Sequence, residues 1–185
     1  MALLRILTWP DPRLKEKAEP IEEITPEIVQ LAHDMAETMY AAPGVGLAAN
    51  QVGVNKRLMV VDCHRPRRED EPEPDPRAVG PGLLYLINPE IVEYGGTICD
   101  EEGCLSFPGE TAEVNRWQWV KVRALDLEGK PFEVIGVDLL ARCLQHEIDH
   151  LDGVVFTEKL SALKRSLINK RAAKATKERE LEDMD

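Results

Sequence analysis

Apolar and polar positions alternate along this chain with two distinct periods. In PEIVQLAHDMAETMYA (26–41), Ile28, Leu31, Ala32, Met35 and Met39 fall on one face at helical spacing. Thr25 can accept a hydrogen bond as N-cap and Pro26 suits the first helical position, so a helix is expected there. RLMVVD (57–62) is a β-branched run and predicts a strand. LLYLINPEIVEY (83–94), GTICDE (96–101), WQWVKVRALDLEG (117–129) and PFEVIGV (131–137) predict antiparallel strands, with Gly95-Gly96 and Glu128-Gly129 as turn signals between them. HRPRREDEPEPDPRAVGPG (64–82) has proline, charge and glycine without periodicity and reads as a loop.

From about 139 to 152 the pattern changes again. Leu139, Leu140, Leu144, Ile148 and Leu151 leave little polar surface around a helical axis, with Asp138 as N-cap and Gly153 as terminator. A helix apolar nearly all round is buried. Residues 158–182 predict a final, polar helix. The expected architecture is a single α+β domain, antiparallel sheets packed around the buried helix, with a catalytic part over 1–157 and a C-terminal basic helix and acidic tail over 158–185.

Composition narrows the class. With 185 residues, 43% hydrophobic and 31% charged, the chain is an ordinary soluble domain. A net charge of −11 argues against broad nucleic-acid binding, DNA included. Four cysteines without a C-x-x-C pair read as reduced thiols, and the expected location is the cytoplasm. No apolar run is long enough for a membrane span. Locally the charge reverses: Lys159 to Arg179 holds eight Lys or Arg against one acid. That segment reads equally as a solvated helix or as a surface for RNA phosphates.

The buried helix carries the chemistry. CLQHEIDHLDG (143–153) places His146 and His150 four apart, on one helical face, able to aim ring nitrogens at one cation. Glu147 is rotated aside, where it can take a proton from water; this is the HExxH arrangement. A buried ionisable trio is costly unless it pairs or binds metal. A third ligand is then needed. Glu158 offers a carboxylate, Cys143 sits one turn before His146, and Cys104 lies in the glycine-flanked DEEGCLSFPG (100–109). Asp149 is placed to orient a ligand or to pair with Arg116, or else forms a surface salt bridge. His33 lies off the apolar stripe of its helix and His64 in the polar loop; neither is expected to bind metal. Ser106 has no free histidine to activate it, and GVGLAANQ (44–51) lacks the G-K-[ST] of a phosphate loop.

Three stretches in order, GVGLAANQ (44–51), EGCLS (102–106) and QHEIDHLDG (145–153), together with ILTWPDPRL at the start, resemble the peptide deformylase family over about residues 5–160. The resemblance implies Cys104, His146 and His150 as ligands of one divalent metal, ferrous in the cell, although one thiolate and two imidazoles also suit zinc, nickel or cobalt. It implies Glu147 as general base, Gln51 and the Leu105 N–H as oxyanion donors, and Val45-Gly46 as a backbone edge for the substrate, an N-formylmethionyl nascent chain. Some members dock a C-terminal helix on the ribosome, which is the functional reading of the 159–179 helix beside the reading as a solvated one. Two features depart from the family pattern. The 64–82 loop is longer and more acidic, and Thr111 stands where many members have arginine. The rival readings are a peptidase with Glu158 as third ligand and a ribosome-binding module without turnover.

Overall fold

The computed structural model describes residues 2–64, 69–70 and 72–184. Helix α1 (Pro26–Ala41) begins where Thr25 accepts a hydrogen bond from the Ile28 N–H. A short strand β1 (Gly46–Ala48) follows, then one 3-10 turn over Ala49–Val52 and strand β2 (Leu58–Val61). The 64–82 stretch, expected as loop, contains a short helical turn α2 (Pro76–Val79), capped by Asp75. Its residues 65–68 and 71 lie outside the described residues.

Strands β3 (Leu84–Gly95), β6 (Trp119–Leu125) and β7 (Pro131–Val137) join β1 and β2 in a five-stranded antiparallel sheet of order β1-β2-β3-β6-β7. Strands β4 (Ile98–Gly103) and β5 (Thr111–Arg116) form a separate two-stranded sheet. Gly95-Gly96 is therefore no hairpin turn: the chain crosses there from one sheet to the other. Strand β5 escapes the periodicity argument because its inward residues are Val114 and Arg116, and a buried arginine reads as polar. Strand β1 escapes it because it is short and buried throughout.

Helix α3 (Asp138–Leu151) packs on the large sheet, where Leu140, Ala141, Leu144 and Ile148 meet Met59, Leu86 and Val122 in one cluster. Asp138 does not cap it by its side chain. Strand β7 runs straight into the helix, Val137 takes the cap position, and Asp138 turns the chain at φ 48° while its N–H donates to Gln118 O. The last helix, α4 (Ala162–Glu182), starts later than the expected 158. Glu158 folds back onto the Val155 N–H and Lys15, and Ser161 accepts from the Lys164 N–H as cap. Ile168 and Ala172 anchor α4 against Leu7, Phe107 and Phe156. The fold is α+β, with antiparallel sheets around α3 and a C-terminal helix.

Candidate metal centre

Strand order leaves two free edges facing each other. Among the described residues, β1 pairs only with β2, and β4 only with β5. Between them lies a cleft of about 680 Å³, walled by Val45 and Gly46 on one side and Glu101 to Leu105 on the other, with α3 as its floor. Gly46 must be glycine for the edge to lie this close to the helix: a Cβ there would stand 2.6 Å from Glu147 Oε1 and 2.9 Å from Cys143 Sγ.

At the cleft floor the chain brings Cys104, His146 and His150 together. His150 Nε2 lies 3.1 Å from His146 Nε2 and 3.2 Å from Cys104 Sγ, and the three donor atoms all fall within 4.8 Å of one another. Helical spacing accounts for the two histidines. The turn leaving β4 supplies the thiol. The other candidates are engaged elsewhere: Cys143 donates to Val45 O, and Glu158 accepts from Val155 N–H and Lys15.

The electrostatics fit one cation. Burial works against charge on His146, but its contacts with Cys104 and Glu102 outweigh this and raise its pKa. Burial and the neighbouring His146 lower that of His150. Two ring nitrogens that point at each other 3.1 Å apart suit ligation of one cation, which requires unprotonated imidazole nitrogens. A thiolate with two imidazoles is a donor set for a transition metal rather than for magnesium or calcium. These three residues form a group that could hold one metal ion.

Behind the histidines lies a network that contains the expected Asp149–Arg116 pair and one member, Glu102, that sequence reasoning missed. Glu102 Oε2 sits 3.0 Å from His146 Nδ1, and its two oxygens accept from Arg116 Nη2 at 2.9 Å and Nε at 2.7 Å. Arg116 Nη1 donates to Asp149 at 2.5 Å. Burial opposes charge on Glu102, yet the His146 and Arg116 hydrogen bonds bring its pKa down to about 2. A carboxylate on the distal nitrogen orients a ligating imidazole. The available signal was strand parity: on β4, Glu102 faces inward between outward-facing Glu101 and Gly103. On the other side, Asn50 donates to His150 O and aligns the end of α3 with the β1 turn.

The remaining predicted residues surround the group. Glu147 is buried, its Oε2 has no hydrogen-bond partner among the described residues, and desolvation pushes its pKa up to about 7. Gln51 accepts the Ala48 N–H and turns Nε2 toward Ser106 Oγ (3.1 Å) and Cys104 Sγ (3.8 Å). Leu105 is half-buried on the cleft wall. His33 pairs with the Tyr85 hydroxyl, and His64 is exposed, both remote from the group.

Known proteins carry the same arrangement of chain. The family model described as polypeptide deformylase matches residues 3–166. A peptide deformylase of Thermodesulfovibrio yellowstonii is 50% identical over 171 residues, 92% of this chain and 97% of that protein. One from Alkalilimnicola ehrlichii is 47% identical, over 96% of this chain and 93% of its own. Among solved structures, the Ehrlichia chaffeensis peptide deformylase in complex with actinonin superposes with a TM-score of 0.85 at 41% identity, covering 95% of this chain and 98% of that one. The Legionella pneumophila peptide deformylase gives 0.83 at 44% identity, covering 96% and 98%. A match this long, at this identity, across a fold with Cys104, His146 and His150 gathered in its cleft, has one meaning: the chain belongs to the polypeptide deformylase family.

Proposed function

We propose a division of labour among these residues for the activity of the family, the metal-dependent hydrolysis of the N-formyl group from the N-terminal methionine of newly synthesised proteins, with release of formate. The chain is a hydrolase of this kind. The observation that carries the assignment is the convergence of Cys104, His146 and His150 beside a buried Glu147 whose Oε2 has no hydrogen-bond partner among the described residues.

Cys104, His146 and His150 would hold one divalent ion, ferrous iron in the cell. When bound, it would polarise the formyl carbonyl and make an adjacent water a stronger acid. Glu147 takes the proton from that water and delivers it to the leaving amine; a carboxyl near pH 7 is matched to both transfers. The Gln51 side-chain amide and the Leu105 N–H would donate to the oxygen that gains charge, and losing one such donor typically costs about 3–4 kcal/mol in barrier. The Val45-Gly46 edge binds the peptide as an added strand. Glu102 keeps His146 in the tautomer whose Nε2 is free to ligate. Arg116, itself tied to Asp149, holds Glu102 ionised.

Residues 1–157 would form the catalytic unit and 158–185 an appendage. The helix α4 exposes Lys164, Arg165, Lys170, Lys174 and Lys177, and docking of these on ribosomal RNA phosphates would bring a cytoplasmic enzyme to nascent chains. No helix among the described residues is long and apolar enough to cross a membrane.

Formate release from formyl-Met-Ala-Ser tests the assignment, using anaerobically prepared, iron-loaded protein beside Glu147→Ala and Cys104→Ala. Release by wild type, an inactive but metal-bound Glu147→Ala and a metal-poor Cys104→Ala is the expected pattern. Activity retained in Cys104→Ala would overturn the ligand set. Co-sedimentation with ribosomes that persists unchanged after removal of the 159–179 lysines and arginines would overturn the docking role of α4.

A further inference from the structure

The metal centre buries one hydroxyl that the proposed reaction leaves unused. Ser106 is 0% exposed. No histidine is free to make it a nucleophile, since His146 and His150 converge on Cys104 and His33 and His64 lie elsewhere. Its Oγ instead accepts a hydrogen bond from Gln51 Nε2 at 3.1 Å. The surrounding chain shows what that contact can do. The Phe107 N–H donates to Cys104 O at 2.9 Å and closes residues 104–107 as a turn, with Leu105 and Ser106 at its centre. One turn therefore carries the Cys104 thiol, the Leu105 N–H and the Ser106 hydroxyl.

Gln51 comes from the 3-10 turn after β1, 55 residues away in the chain. Two donors that serve one oxygen need a fixed spacing, although they stand on separate segments. Residues 7–9 tie the two backbones together: the Leu7 N–H donates to Gln51 O at 2.7 Å, and the Trp9 N–H to Ser106 O at 2.9 Å. Those bonds leave the Gln51 side chain free to rotate. Its Oε1 accepts the Ala48 N–H at 2.9 Å, which settles which end of the amide is oxygen. An amide held at that oxygen alone can still swing. Nε2 has two hydrogens, and Ser106 Oγ takes one of them. Nε2 also stands 3.8 Å from Cys104 Sγ, so its second hydrogen is the one left for a reacting oxygen.

We propose that Ser106 is a positioning residue: its hydroxyl holds the Gln51 amide in register with the Leu105 N–H, so that both donors meet the same oxygen in the transition state. The inference rests on the deformylase reading of the site and on Gln51 as an oxyanion donor. Ser106 touches no reacting atom and acts only through Gln51. A donor that serves the transition state alone changes kcat and leaves KM nearly as it was.

The test is a double-mutant cycle on formyl-Met-Ala-Ser hydrolysis, with kcat taken per bound iron so that misfolded protein does not count. Gln51→Ala should lower kcat about 10²- to 10³-fold. Ser106→Ala should lower it about 10- to 100-fold with KM nearly unchanged. Added to Gln51→Ala, Ser106→Ala should cost nothing further, because the group it positions is gone. A second readout needs no turnover. In zinc-loaded protein the Gln51 Nε2 protons, assigned in NMR spectra by their absence from Gln51→Ala, should exchange slowly with water, and Ser106→Ala should speed that exchange. A Ser106→Ala loss that repeats in full on top of Gln51→Ala would make the hydroxyl merely structural and overturn the inference. Unchanged kcat or unchanged proton exchange in Ser106→Ala overturns it as well. Full kcat in Gln51→Ala removes the oxyanion role of Gln51, and this inference with it. No formate from wild type overturns the deformylase reading itself.

Discussion

Helices α3 and α4 are both charged along much of their length, and the fold treats them in opposite ways. In α3 the ionisable residues His146, Glu147 and His150 are buried, and Glu102 and Arg116 are buried with them. In α4 only Ile168 and Ala172 are buried, and the cations point outward. Burial makes each charge in α3 depend on a partner several elements away, because low dielectric strengthens both the interaction and the penalty for losing it. Exposure makes each charge in α4 nearly independent, since water screens it. Charged helices in one chain can thus serve different ends: α3 holds a reactive group in place, and α4 offers a surface.

The comparison can be broken most forcefully at Arg116. Arg116→Ala leaves Glu102 and Asp149 without their shared cation, and should lower stability by about 3–5 kcal/mol in urea unfolding. A loss below 1 kcal/mol would mean that the α3 network is as loosely coupled as the surface of α4. Next comes the chemistry. Glu147→Gln removes the proton acceptor while keeping the side chain's size, and should slow formate release about 10²- to 10⁴-fold with metal content unchanged. On α4 the largest effect belongs to an apolar residue, not to a cation. Ile168→Ala withdraws the helix's main anchor beside Phe107 and Phe156 and should cost about 2 kcal/mol, at the low end for such truncations.

The smallest effect is where α4 reaches Glu110, a residue lining the cleft. Arg171 grips both oxygens of Glu110, and this hydrogen bonding lowers the Glu110 pKa from its usual 4.5. Because the folded pKa is below the unfolded one, the contribution to stability is present above about pH 4.5 and fades as pH falls through the lowered value. Arg171→Ala should remove that dependence and shift Tm by no more than a few degrees at pH 7, measured by thermal melts at pH 7 and pH 3.5. A larger shift confined to neutral pH would show that α4 is coupled to the cleft as tightly as α3.

Much of this was readable before any coordinates. The α1 boundaries follow from Thr25, Pro26 and the apolar stripe, and α3 from its all-round hydrophobicity and its terminator. Gly153 does close the helix, at φ 74° against the Lys15 carbonyl. Strand β5 was not readable, and Glu102 was betrayed only by strand parity, for one reason: a charged residue that is buried because a partner awaits it has the same letter as one that is solvated. The start of α4 was misplaced because the local helical signal of residues 158–161 yields to the Lys15–Glu158 pair and the Ser161 cap, both set by tertiary contact.

What the sequence determines by itself is what lies within a few helical turns. His146 and His150 share a face and Glu147 stands beside them, because 3.6 residues per turn leave no choice. Spacing left open which thiol or carboxylate meets them; the motif resemblance pointed to Cys104, and the tertiary structure brings it to the histidines. Cys104, Cys143 and Glu158 all had suitable chemistry, and Cys104 reaches His150 across 46 residues of chain only because the β4–β5 sheet closes over α3. Spacing along a helix is enforced by backbone geometry. Which distant strand lies against it is settled by how the whole core packs, and no local pattern encodes that.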